Sequence, residues 1–215
     1  MKKALIISTL AFAPLVAVAD EVSTAYQTGF YLGAGLGVVD YDDDDLSRDL
    51  GYDVGYPGAI DTESDDTAFK FFAGYKINNI VSVEGSYTDY GDTDYKLFKQ
   101  RFMTLEIKSV SVAANLGYSF DNGWRPFGII GLSHVSVDYS SPFDSSLSGS
   151  EDYTGVHYGV GADYSPAFNR SIAFRMAIEG DAFVDDSFDD SYSPYYDDEY
   201  VLSVITFYAG VSYTF

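Results

Sequence analysis

Seven ionisable residues fall where an extended chain turns every second side chain to one side: Lys70, Glu84, His157, Asp163, Arg175, Glu179 and Asp181. Arg175 and Glu179 lie four residues apart on one strand face, about 13 Å along the strand. They are therefore expected to pair across strands and not with each other. Two chemistries suit such a set. Packed together, the opposite charges neutralise one another and close an interior; hydrated, they line a narrow polar path for ions. Hydrolysis is a third chemistry to weigh, since a Ser nucleophile needs a base, most often His. The chain has 2 His. His134-Val-Ser136 places a His and a Ser on one strand face. A rim protease built on acidic pairs is disfavoured, because neither His falls in an expected loop. Asp40-Tyr-Asp-Asp-Asp-Asp45 and Asp197-Asp-Glu199 offer hard oxygen ligands, so Asp42, Asp43, Asp44 and Asp45 are candidates for divalent cations. A helix–loop–helix calcium site is not supported, since Asp45 stands where Gly is required. The plainer reading of these clusters is a solvated, repulsive surface.

The composition narrows the setting. There is no Cys, which excludes disulfides and thiol chemistry, and the net charge of −21 makes nucleic acid a poor partner. Lys2 and Lys3 precede an uncharged run from Ala4 to Ala19 that ends in Ala17-Val18-Ala19, a small-x-small cleavage site. The run is shorter than the roughly 20 apolar residues a spanning helix needs, so residues 1–19 are expected to be a signal peptide. Residues 20–29 then form a short periplasmic segment, and 30–215 one domain. No cofactor is expected.

The elements that must position the charges are strands. Period-two alternation recurs eight times: Phe30–Val39, Ala68–Tyr75, Val81–Tyr90, Lys108–Tyr118, Arg125–Val137, Gly155–Tyr164, Ser171–Phe183 and Tyr200–Phe215. One face is apolar (Phe30, Leu32, Ala34, Leu36 and Val38 in the first), the other rich in Gly, Ser and charge. The facing of Arg125–Val137 is left open by the adjacent Ile129 and Ile130. Three connections are short and four are long, the long ones near 40–66, 89–106, 138–152 and 184–199. Of the 33 acidic residues, 26 fall in these four segments, none on the apolar face at mid-height. The second segment is locally basic through Lys96, Lys99 and Arg101, a match for acidic neighbours or lipopolysaccharide phosphates. Alternating short turns and long loops, with an even strand count, describe a transmembrane β-barrel with both ends in the periplasm. Aromatics gather at both ends of the apolar face. Tyr75, Tyr118, Phe120, Tyr164, Phe168, Tyr213 and Phe215 lie at the short-turn side, and Tyr87, Tyr90, Tyr139, Tyr153 and Tyr200 at the other, as two membrane interfaces require.

Phe30-Tyr-Leu-Gly-Ala-Gly-Leu-Gly37, Gly74-Tyr-Lys-Ile-Asn-Asn79 with Glu84 after it, Arg125-Pro-Phe127, Gly159-Val-Gly-Ala-Asp-Tyr164 and the terminal Phe resemble the small eight-stranded OmpA-like outer-membrane barrels. The resemblance implies an all-β, eight-stranded antiparallel up-and-down barrel integral to the outer membrane. Its partners would be lipid, lipopolysaccharide and the barrel-assembly machinery, and it would stand as a monomer. Tyr208, Gly210, Tyr213 and Phe215 match the C-terminal assembly signal of such barrels. No peptidoglycan-binding domain follows, so wall anchoring is not implied. The spacing of His134, Ser136 and Glu151 loosely resembles lipid A deacylases, but Val137 stands where that family has Asn. The expected function is non-enzymatic, structural or surface-interacting through acidic loops. A low-conductance channel is the first alternative and a lipid A-modifying hydrolase the second. The last strand is expected to close on the first, with Gly210 against the glycine-lined face of Phe30–Val39.

Overall fold

The computed structural model describes residues 27–41, 60–64, 67–97, 100–142, 148–185 and 200–215. The signal peptide, Asp42–Asp45, Lys99 and Asp197–Glu199 lie outside them. The described chain is β1 (Gly29–Tyr41), β2 (Ile60–Ser64), β3 (Thr67–Lys76), β4 (Val81–Leu97), β5 (Gln100–Gly117), β6 (Trp124–Ser140), β7 (Gly149–Tyr164), β8 (Ile172–Asp185) and β9 (Tyr200–Thr214).

Every strand except β2 belongs to a closed antiparallel ring in the order β4-β3-β1-β9-β8-β7-β6-β5, sealed by β4 against β5. Closure leaves no free sheet edge along the ring, the condition for a sheet to cross a bilayer. The expected seam is present: β9 pairs with β1, and Gly210 stands opposite Gly35. The short strand β2 pairs with the outer part of β4 (Ser64 opposite Thr93), where β3 pairs with its inner part (Phe69 opposite Asp89). It therefore prolongs the place of β3 in the ring.

Alternation produces the expected facing. Leu32, Leu36, Phe71, Val112, Val160, Met176 and Val211 lie exposed on the outer wall, while Lys70, Glu84, Asn115, Arg175 and Ser212 are buried inside. The open case, β6, resolves cleanly: Arg125, Phe127, Ile129, Ser133 and Val135 point in, and Ile130 and Leu132 point out. Adjacent isoleucines simply occupy opposite faces, because part of the interior is apolar.

Two expectations are corrected. The segments 89–106 and 138–152 are not wholly loops. Pairing of β4 with β5 continues to Leu97 opposite Gln100, and β6 with β7 to Tyr139 opposite Gly149, so Glu151 and Asp152 are strand residues. Strands leaving the membrane still have backbone N–H and C=O groups to satisfy, and continued pairing does so. The outer aromatic girdle is also smaller than expected. Tyr90 is buried inside, and Tyr153 stacks on the buried Phe183 at 5.1 Å. Unbroken alternation puts Tyr90 in phase with Glu84, and Tyr153 in phase with His157. At the short-turn end the girdle is dense, with ring pairs Phe30–Tyr75, Tyr118–Phe120, Trp124–Tyr164 and Tyr213–Phe215 at 4.8, 5.1, 5.0 and 5.1 Å.

Candidate functional site

The barrel interior is built in two layers. Toward the long-loop end, Val39, Ala68, Tyr90, Ile107, Val135, Phe183 and Val204 form an apolar cluster, with Leu105, Val137 and Tyr153 packed against it. Below it, Tyr31, Phe72, Phe127, Ala177 and Tyr208 form a second cluster, largely aromatic. The charges are threaded through this second layer.

All seven interior residues named from alternation are brought together. Arg175 is the hub. Its Nη1 donates to both Glu84 carboxylate oxygens at 2.9 Å, and its Nε donates to Asp163 Oδ1 at 2.8 Å. The guanidinium is clamped between two rings, 4.4 Å from the centroid of Phe72 and 4.6 Å from that of Phe127. A planar cation suits this place, since it hydrogen-bonds in its plane and stacks through its faces. Asp163 is the register partner of Arg175 on β7, whereas Glu84 reaches it from across the barrel. The Arg175–Glu84 pair therefore staples opposite walls.

A second group sits alongside. Lys70 Nζ is 2.6 Å from Glu179 Oε2, and Tyr208 donates to Glu179 Oε1 at 2.7 Å. His157 lies between two carboxylates, with Nδ1 2.9 Å from Asp181 and Nε2 3.3 Å from Glu179. Tyr90 donates to Asp181 at 2.5 Å, tying this group to the apolar layer.

Alternation alone missed several members. Arg125 donates to Asn115 Oδ1 at 2.9 Å and lies 3.4 Å from Asp163. It was hidden by the uncertain phase of its strand, and its even spacing from Phe127 and Ile129 was the available signal. Tyr31 donates to Glu84 Oε2 at 2.7 Å. Alternation with the outward Phe30 and Leu32 sets it on the inner face with Gly33 and Gly35, but gives no sign of its partner.

Of the assembly-signal residues, Tyr208 is inside and bonded to Glu179, Gly210 is at the seam, and Tyr213 and Phe215 are exposed on the outer wall. The hydrolase candidates are not brought together as expected. His134 and Ser136 point outward, whereas Glu151 shares the inward phase of Tyr153, to which it is hydrogen-bonded. Asp152 meets them instead: Ser136 Oγ donates to it, and His134 Nε2 is 3.7 Å from it. Serine and histidine thus converge on a carboxylate and not on each other, so no Ser–His pair forms. Among the described residues no group of His, Asp or Glu is arranged to hold a metal ion.

The fold has clear counterparts among solved structures. Neisserial surface protein A aligns with a TM-score of 0.56 at 14% identity, over 88% of this chain and 100% of that one. The outer membrane protein OprG from Pseudomonas aeruginosa aligns at 0.54 and 15%, over 91% and 99%. The N-terminal β-barrel domain of Pseudomonas aeruginosa OprF aligns at 0.52 and 15%, over 88% and 100%. At such identities the likeness is one of fold. No curated protein matches the sequence. The model of the outer membrane protein beta-barrel domain matches residues 8–215, so the chain belongs to that family and is an integral protein of the outer membrane.

Proposed function

We propose that this protein is a closed, non-conducting barrel that serves the envelope as a structural and surface-interacting element, without catalytic activity. The observation that carries this reading is the filled interior. Eight strands enclose a space just wide enough for side chains to fill. Here the Arg175–Glu84 staple, its flanking rings and the apolar layer around Tyr90 and Val135 occupy successive levels of it. An ion crossing would have to displace paired charges and then pass an apolar level.

The acidic segments between strands are the parts offered to the outside, and partners there are expected to be cationic or cation-bridged. The seam of β1 with β9 leaves no strand edge on the ring for a second copy, which supports a monomer. Residues 1–19 act as the export signal, and Tyr208, Gly210, Tyr213 and Phe215 as the segment read by the assembly machinery. The test is conductance of refolded protein in planar bilayers. A silent bilayer is expected; large, steady ohmic steps would overturn the sealed reading and favour a channel.

A further inference from the structure

Toward the short-turn end, the interior charges do not balance. The alternation that sends Lys70 and Phe72 inward carries Lys76, the last residue of β3, inward as well. Three cations, Lys76, Arg125 and Arg175, stand here with two carboxylates, Glu84 and Asp163. Arg175 engages both carboxylates, at 2.9 and 2.8 Å, and Arg125 has a longer contact of 3.4 Å with Asp163. Lys76 has neither. Among the described residues its partners are the Thr214 hydroxyl at 3.1 Å and the face of the Tyr31 ring, 5.5 Å from the centroid.

Arg125 is 6% exposed, and its two edges are unequally used. Nη1 donates to Asn115 Oδ1 at 2.9 Å. The other edge, Nε with Nη2, is the fork that takes an oxyanion through two parallel N–H bonds. Among the described residues Nε meets no acceptor, and Nη2 has only long contacts: 3.4 Å to Ser82 Oγ, 3.5 Å to Ile80 O and 3.4 Å to Asn115 O. Ser82 is also the register partner of Lys76. Side chains opposed across an antiparallel pair start about 5 Å apart, so the open fork and the ammonium flank one hydroxyl. Gly117 makes the room: a Cβ there would lie 2.9 Å from Arg125 Cζ, so the guanidinium rests against bare backbone of β5.

We propose that Lys76 and Arg125, with the hydroxyls of Ser82 and Thr214, form a binding site for a small phosphate-class oxyanion at the short-turn mouth of the barrel. One anion supplies what both cations lack: oxygens for the Nε–Nη2 fork and a countercharge for the ammonium. A buried N–H without an acceptor is costly, and so is a cation held out of water without a partner. Repulsion by Glu84 and Asp163 is limited, because Arg175 engages both. The site faces the lumen, so the strands wall it off from lipid headgroups. A free anion enters from the aqueous end, where Lys76 is only partly buried. The inference does not depend on whether the interior conducts.

The full barrel, labelled with 15N and refolded in maltoside micelles, is titrated with inorganic phosphate at constant pH and ionic strength. A second titration uses chloride alone. Saturable phosphate shifts are expected in the amide signals of Lys76, Ser82 and Arg125 and in one arginine Nε–H signal, with Val156 and Ile178 on the outer wall unmoved. Lys76→Met should weaken phosphate binding about tenfold or more, on the scale of a lost charge-assisted hydrogen bond. Lys108→Met, which removes an outer-wall cation, should leave it unchanged. Thr214→Val supplies the comparison, with a loss of about threefold or more, if Lys76→Met does not give the heat-modifiable folded band. No saturable shift at these signals, an equal response to chloride, or unchanged affinity in the folded variant would each overturn the proposal.

Discussion

Arg175 concentrates the interior's electrostatics, and its removal is the sharpest test of that arrangement. Arg175→Met would keep much of the packing between Phe72 and Phe127 but leave Glu84 and Asp163 without their main cation. Breaking a buried pair from one side typically costs about 3–5 kcal/mol, which urea unfolding of the barrel in lipid vesicles should register. Neutralising the partners as well, with Glu84→Gln and Asp163→Asn, should recover much of that loss. If the triple variant is as unstable as the single one, packing and not charge is the source. Tyr208→Phe removes one neutral-to-charged hydrogen bond to Glu179 and should cost less, on the order of 1–3 kcal/mol.

The strands explain why these residues can meet. β1 is glycine-rich on its inner face because rings from β3 and β9 press against it. A Cβ at Gly35 would lie 2.8 Å from Tyr208 Cδ2 and 2.9 Å from the Ala209 carbonyl oxygen. Gly35→Val should therefore disturb the β1–β9 seam and reduce the heat-modifiable folded fraction, whereas Val38→Ala on the outer wall should not. The hairpin where β4 and β5 run past the membrane has its own pH signature. Burial raises the pKa of Asp92, and Glu106, Asp89 and Asp94 raise it further. A carboxyl raised in the folded state favours the ordered hairpin while protonated, and that support is lost as pH rises through the folded-state value. Proteolysis of the hairpin should accordingly be slower in mild acid than at neutrality, and Asp92→Asn should flatten the difference. An unchanged pH dependence in that variant would assign the effect to its neighbours.

At the scale of the molecule, the barrel is a ring closed by β1 and β9 around a filled interior, with an aromatic girdle at the short-turn end. Phe215 belongs to that girdle, and its backbone N–H bonds to Phe30 O at 2.9 Å. Deleting Phe215 should slow insertion into bilayers while leaving binding by the outer segments unchanged. Refolding rates followed by gel mobility would show this, and a deletion variant that inserts at the normal rate would remove the assembly role.

Period-two alternation was enough to read the strand number, the inward set of Lys70, Glu84, His157, Asp163, Arg175, Glu179 and Asp181, and the seam. The reason is local: a strand has no choice but to send successive side chains to opposite faces. Alternation within Val81–Tyr90 already set Tyr90 inward, and its continuation past Gly155 carried Tyr153 inward. What it could not contain was partnership. That Arg175 reaches Glu84 across the lumen and not merely Asp163 beside it depends on strand tilt and stagger around the ring. Asp152, and not Glu151, meets Ser136 more locally, through the register of β6 with β7. The Arg175–Glu84 pairing joins residues far apart in the chain and exists only once the ring is closed.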